Sequence, residues 1–182
     1  MARYDASSLT PGRFDAIWHV TQVRPYPTEA FMLELRSRVL CVLQLQLGAV
    51  TMIGATPAGT RRVVQVVGGR FDGERLRGNV LGGGDWSLEG PDGALRLDSR
   101  STLCTDDGAL LYLQHQGVRH GPPEVLQALL HGEAVAPERY YFRTAMRFES
   151  GDARYEWLHR CLIVGVGERR PEGPRYTVHE IL

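Results

Sequence analysis

Between Gly82 and Gly117 the chain carries Asp98, Arg100, Thr102 and Tyr112, an acid, a base and two hydroxyls whose alternate spacing puts them on one side of two successive hairpins. Such a set can move protons and hold an oxygen anion. A carboxylate shielded from water has its pKa raised toward neutrality, and a phenol can donate a hydrogen bond to a developing oxyanion. Asp85 and Glu149 add two more acids, and His159 an imidazole whose intrinsic pKa suits general-base work near neutral pH. Asp98, Glu149, His159 and Tyr112 are therefore the candidate catalytic residues. Arg100 and Arg143 are candidates for holding a carbonyl or carboxylate oxygen, with Asp85 beside them, while Trp86, Trp157 and Tyr155 would wall an organic ligand. Each carboxylate has an alternative use as the ion-pair partner of Arg100 or Arg143, and His159 an alternative as a surface or satisfied core imidazole.

Several chemistries are excluded or unsupported. The chain has no Lys, so it cannot form a Schiff base with a carbonyl substrate or pyridoxal phosphate. His115 and His120 flank Gly117 in what reads as a loop, without a nearby Cys, so no metal site is expected. Gly82-Gly83-Gly84 is followed by no helix and is no phosphate cradle, and no Gly-x-Ser-x-Gly elbow occurs. No cofactor is expected. A formal charge of +0 and a pI of about 7.0 give no field for nucleic acid or an anionic membrane. Cys41, Cys104 and Cys161 form neither a disulfide framework nor a zinc pattern, and no apolar run approaches the roughly 18 residues of a membrane span. The expectation is a cytoplasmic protein with a small-molecule ligand, no nucleic-acid or membrane partner, and a possible homo-oligomeric state.

The elements that must position these residues are strands. Short apolar-polar alternations recur between Gly, Pro and Asp turns, with almost no helical periodicity. Strands are expected at Phe14 to Arg24, Phe31 to Leu47, Arg61 to Phe71, Arg75 to Leu81, the two hairpins, Tyr140 to Glu149, Tyr155 to Gly167 and Tyr176 to Ile181. Gly82 to Gly84 reads as a bulge or sharp bend. Pro122-Pro123, Glu124 and the apolar stripe Val125, Leu126, Leu129 and Leu130 mark one short helix closed by Gly132. About eight to ten antiparallel strands with one helix predict an all-β barrel or curved sandwich, because closure hides strand edges. Residues 1–37 read as an N-terminal extension packing on a barrel of residues 38–182.

Turn chemistry sets the faces. Around Asp106-Asp107-Gly108, a three-residue loop with Gly108 left-handed pairs Thr102 with Tyr112 and Leu103 with Leu111, keeping polar beside polar, whereas a two-residue turn would mix the faces. The same loop at Pro91-Asp92-Gly93 puts Trp86 opposite Asp98; a four-residue turn would put it opposite Leu97. The resulting polar face either meets water, as in most antiparallel sheets, or lines a cavity inside the barrel. The large aromatics on that face favour the cavity.

At GGRFDGERLRGNVLGGGDW, LDSRSTLCTDDGALLYLQHQG, YYFRTAMRFES and YEWLHRCLIVGVG the chain resembles the bacterial proteins grouped as domain of unknown function 3237, or UPF0311-like. The resemblance runs from about Val39 to Leu182. It implies a compact antiparallel β-barrel and brings no reaction with it. Arg62, Asp85, Trp86, Asp98, Thr105, Asp107, Gly108, Arg143, Phe148, Glu149 and Trp157 match the family pattern, while His159 stands where Asn is expected. The functional expectation is a cofactor-independent enzyme that isomerises, cyclises, hydrates or eliminates a small carbonyl or aromatic metabolite in a polar barrel cavity. A non-catalytic binding barrel and an oligomeric scaffold are the alternatives.

Overall fold

An uninterrupted two-residue period makes Tyr141–Glu149 a strand with Phe142, Thr144, Met146 and Phe148 buried and Arg143, Ala145 and Arg147 exposed. The same rule builds the rest of the all-β, antiparallel fold. The computed structural model describes residues 34–182. Among them are β1 (Ser37–Thr56), β2 (Gly59–Asp72), β3 (Gly78–Asp85), β4 (Leu88–Glu89), β5 (Leu95–Thr105), β6 (Leu110–His120), α1 (Pro123–Leu130), β7 (Tyr141–Glu149), β8 (Ile163–Arg170) and β9 (Gly173–Ile181). The expected strand at Phe14 to Arg24 and the expected packing of the N-terminal extension fall on residues outside those described.

Strand pairing follows the order β1-β9-β8-β7-β6-β5-β3-β2, and β2 pairs back with β1. The result is a barrel-like ring in which each long strand has two neighbours, so among the described residues no long edge is left open. β4 bridges β2 and β5. The long β1 bends through register shifts at Gln46/Leu47, Leu47/Val50 and Met52/Gly54, which lets one strand serve two partners.

Both hairpins adopt the three-residue loop. Thr105 N donates to Ala109 O at 2.9 Å, Gly108 sits at φ 88°, and Thr102 faces Tyr112 with Leu103 facing Leu111. In the other hairpin Gly90 N donates to Ala94 O at 3.0 Å, Gly93 sits at φ 72°, and Trp86 N donates to Asp98 O at 3.0 Å. Helix α1 begins and ends as its Pro and Gly signals require. Gly82 to Gly84 carry a register shift after Val80, but remain paired with β5, so the bulge bends the strand without ending it.

Two expectations need correction. The segment after Asp72 does not turn tightly into a strand at Arg75; β3 starts at Gly78. The intervening residues bury Leu76 to 1%, so core burial competes with early pairing. The expected strand from Tyr155 to Gly167 is instead a 3₁₀ helix at Ala153–Arg160 followed by β8. Asp152 caps it by accepting from Arg154 N at 3.0 Å, and its buried residues, Tyr155 and Leu158, lie three apart as a three-residue turn demands. Tyr155, Trp157 and His159 therefore do not share one strand face.

Inside the ring, one half is filled. Leu103, Leu111, Leu113 and Phe148 occupy adjoining positions on β5, β6 and β7, all at 2% exposure or less. The half nearer Leu95, Arg119 and Phe142 is different, because polar residues interrupt the inward series there. On β5 the series is Leu97, Ser99, Ser101, Leu103, and on β6 it is Leu111, Leu113, His115, with Arg119 further along.

Candidate functional site

These interruptions surround a cavity of about 170 Å³ inside the ring. Leu45, Leu47, Val64, Val66, Leu97 and Phe142 form apolar walls, and Leu129 and Leu130 of α1 cover part of it. Arg62, Asp85, Ser99, His115, Arg119, Arg169 and Tyr176 supply its polar lining. An apolar body with a few convergent polar groups is the usual composition of a small-molecule site.

Sheet register explains the convergence. Asp85 on β3 is opposite Ser99 on β5, and Ser99 is opposite His115 on β6, so three chemically active side chains stand in one row across adjacent strands. The His115 ring meets Tyr176 edge-on at 5.3 Å, and Tyr176 meets Phe142 in the same manner at 5.3 Å. Tyr140 Oη accepts from Arg169 N at 2.8 Å, which places Arg169 at the end of β8 beside the start of β7.

Burial shapes the electrostatics. Asp85 is pushed above the usual carboxylate pKa chiefly by desolvation. Hydrogen bonds from Ser87 Oγ at 2.8 Å and Asp98 N at 3.2 Å, with the nearby Arg62, oppose that shift. Desolvation lowers His115 to about 4, with Asp98 pulling the other way, so its imidazole is neutral at pH 7. Tyr176 is held above the usual phenol value by burial, reinforced by Asp85. Arg119 is lowered first by desolvation and then by repulsion from Arg62 and Arg169. None of these three arginines forms an ion pair with a carboxylate among the described residues. Ser99 Oγ, His115 Nδ1 and Arg119 Nε are buried without a hydrogen-bond partner among the described residues. Unpaired buried donors and charges are costly, so a cluster of them calls for a ligand that satisfies them.

The residues singled out from sequence lie elsewhere, with one exception. Asp85 lines the interior cavity. Asp98, Arg100 and Trp86 sit on the outer surface: Arg100 Nη1 is 3.2 Å from Asp98 Oδ2, and the guanidinium lies 5.4 Å from the Trp86 ring centre. Trp86 is 41% exposed, so it walls no interior ligand. Tyr112, Glu149 and His159 come together along an open outer groove of about 910 Å³ with Arg147. There Arg147 pairs with Glu149 at 3.1 Å, and His159 Nε2 accepts from Ser150 N at 3.0 Å. Arg143 faces outward over Tyr141, Trp157 lies under Arg75 at 3.9 Å, and the buried Tyr155 donates to Asp107 Oδ1 at 3.0 Å. The polar sheet face thus faces solvent, and the expectation that it lines the cavity is reversed. Large aromatics are tolerated outside because Arg100, Arg75 and Arg143 cover them.

Arg62, Ser99, His115, Arg119, Arg169 and Tyr176 have no site role in the sequence reading, and His115 lies on a strand, not in a loop. The signal available was a polar residue on the otherwise greasy parity of a strand. Among the described residues, no group of three or more His, Cys, Asp or Glu is placed to hold a metal ion. No described helix is long and apolar enough to cross a membrane.

Residues 36–181 match the model of the family described as protein of unknown function (DUF3237). A UPF0311 protein of Rhodopseudomonas palustris (strain TIE-1) is 36% identical over 149 residues, covering 81% of this chain and 97% of that protein. The crystal structure of the conserved protein of unknown function RPA1785 from Rhodopseudomonas palustris superposes with a TM-score of 0.79 at 36% identity, covering 82% of this chain and 99% of that one. A beta-barrel like protein from Acinetobacter baumannii AYE gives 0.72 at 36% identity, over 82% of this chain and 97% of that one. An enzyme from Penicillium herquei shares the fold, with a TM-score of 0.62 at 20% identity over 81% of this chain and 95% of that one.

Proposed function

Since this chain belongs to the DUF3237 family, in which no reaction is specified, we propose from its own site that it is a cofactor-independent acid-base enzyme acting on a small carbonyl metabolite inside the ring. The observation that carries this reading is the convergence of Arg62, Arg119 and Arg169 on a cavity that also holds the desolvated Asp85. The Asp85 carboxylate takes a proton from the carbon next to the substrate carbonyl, and the electron pair moves onto oxygen to give an enolate. The neutral His115 and the Tyr176 hydroxyl donate hydrogen bonds to that oxyanion, and the arginines favour it through their positive potential in surroundings where charge is poorly screened. In an α-hydroxy or β,γ-unsaturated ketone, where the enolate charge extends to a second carbon, return of the proton from Asp85 to that carbon gives an isomer; where the carbon next to the enolate carbon bears a leaving group, the group departs with its bonding electron pair as the carbonyl reforms, which is an elimination. The proton-carrying role assigned from sequence to Asp98, Glu149 and His159 passes to Asp85.

The test is proton exchange in D₂O, followed by NMR on a set of small enolisable ketones and keto acids. Wild-type protein is expected to exchange the α-proton of at least one compound, and Asp85→Asn to slow that exchange by about 10²-fold or more. Exchange that survives Asp85→Asn but is lost in Glu149→Gln or His159→Ala would move the chemistry to the outer groove and overturn this reading.

A further inference from the structure

Resting on the reading that the interior cavity is the site, we infer that its ligand is a carboxylate of single-ring size that bears a hydroxyl or carbonyl oxygen at the end remote from the carboxylate. Three features fix these parts. The first is charge. Among the described residues Arg62, Arg119 and Arg169 face one carboxylate, Asp85, and the other polar groups of the lining are neutral, so these residues give the cavity an excess of positive charge. A ligand anion supplies what the protein does not, and the planar guanidinium fork matches a carboxylate with two parallel hydrogen bonds.

The second is depth. Arg119 is opposite Leu95 and Phe142, near the ends of β6 and β7, whereas His115 lies four residues further in. At about 3.3 Å per residue, their backbones are about 13 Å apart along β6. The Arg119 side chain spans part of that distance, leaving room for one ring or a short carbon skeleton between guanidinium and imidazole. Ser99 is opposite His115, and Ser99 Oγ and His115 Nδ1 are the buried unpartnered atoms at this inner level. A hydroxyl and a neutral imidazole together offer a donor and an acceptor, the complement of a ligand hydroxyl or carbonyl.

The third is size. About 170 Å³ is close to the roughly 150 Å³ cavity that takes a benzene molecule. The walls between the two polar levels are Leu, Val and Phe, which suit the body of such a ligand. A larger polycyclic compound or a nucleotide does not fit this volume.

Calorimetric titration of the full chain with four probes tests the inference: 4-hydroxybenzoate, benzoate, 4-hydroxybenzamide and phenyl phosphate. We expect 4-hydroxybenzoate to bind, 4-hydroxybenzamide to bind at least 10-fold more weakly, and benzoate about 2- to 10-fold more weakly. Arg119→Met should weaken 4-hydroxybenzoate about 10- to 100-fold while leaving the amide unchanged, and His115→Phe should erase the advantage of 4-hydroxybenzoate over benzoate. Equal binding of acid and amide, indifference to Arg119→Met, or failure of all four probes to bind the wild type would overturn the ligand assignment. Tighter binding of phenyl phosphate than of either carboxylate would overturn it in favour of a phosphate ester. These measurements read binding alone. Failure of the carboxylate assignment with proton exchange intact, or binding without any exchange, would therefore separate the ligand class from the proposed catalysis.

Discussion

Arg119→Met should make the protein more stable while it weakens ligand binding. The guanidinium Nε is buried without a protein partner, desolvation disfavours its charge, and Arg62 and Arg169 repel it. All three effects are relieved when the chain unfolds into water, so the wild-type cation is a cost of the folded state. Opposing this, Arg119 lies 5.9 Å from the Phe142 ring centre, an interaction of about 0.5–1 kcal/mol. Methionine retains much of the apolar stem and adapts to the space left by the head group. Replacing buried ionic groups by apolar ones of similar volume gains about 1–4 kcal/mol in favourable cases, and a half-buried arginine belongs at the lower end, so a net gain of about 1 kcal/mol is expected. In a chain of this size that corresponds to a rise in Tm of about 2–4 °C. Differential scanning calorimetry at low and high salt is the assay, and the gain should shrink as salt screens the repulsion. A Tm lowered by 2 °C or more would refute the reasoning. Arg119 would then brace the fold, and the arginine cluster would be structural.

Two pH predictions follow from buried groups with opposite surroundings. His115 titrates near 4 in the fold against 6.5 for free imidazole, so the unfolded chain gains a proton first and stability falls as pH drops from 6.5 toward 4. His115→Phe should remove about 3 kcal/mol of that decline, measured by urea unfolding at pH 7 and pH 4; an unchanged decline would contradict the burial argument. Glu180 accepts from Arg38 and Arg75, each at 2.8 Å, which holds its carboxyl near 2 against an ordinary 4.5. Its contribution is present above pH 4.5 and lost toward pH 2. Both arginines are substantially exposed and screened, so Glu180→Gln should cost about 1–2 kcal/mol at pH 7 and only a small fraction of that at pH 2, and a pH-independent loss would refute the ion-pair account.

Much of the architecture was legible because it depends on local rules. Alternation marked the strands, Gly108 and Gly93 specified their loops, and the loops specified which residues face each other across β5 and β6. The segment Tyr155 to Gly167 was misread because a short stretch of alternating aromatic and polar residues fits a strand, while the competing 3₁₀ turn depends on the Asp152 cap and on burying Tyr155 with Leu158.

Local residue patterns settle the all-β class, the hairpin registers and the separation of two residue sets onto opposite faces. Which set lies inside depends on how the strands close on one another. Alternation is symmetric: it records that Asp98, Arg100 and Tyr112 oppose Leu97, Ser99 and Leu111 in direction, but not the sense in which the sheet curls. Ring closure through the β1–β2 pairing made the greasy face the interior, and with it the few polar residues that face carries. Asp85, Ser99, His115, Arg119, Arg169 and Tyr176 come from five different strands, and apart from His115 and Arg119 on β6 no local spacing relates them. Their meeting is a property of the closed ring, in which residues far apart in the chain share one low-dielectric space and change one another's charge.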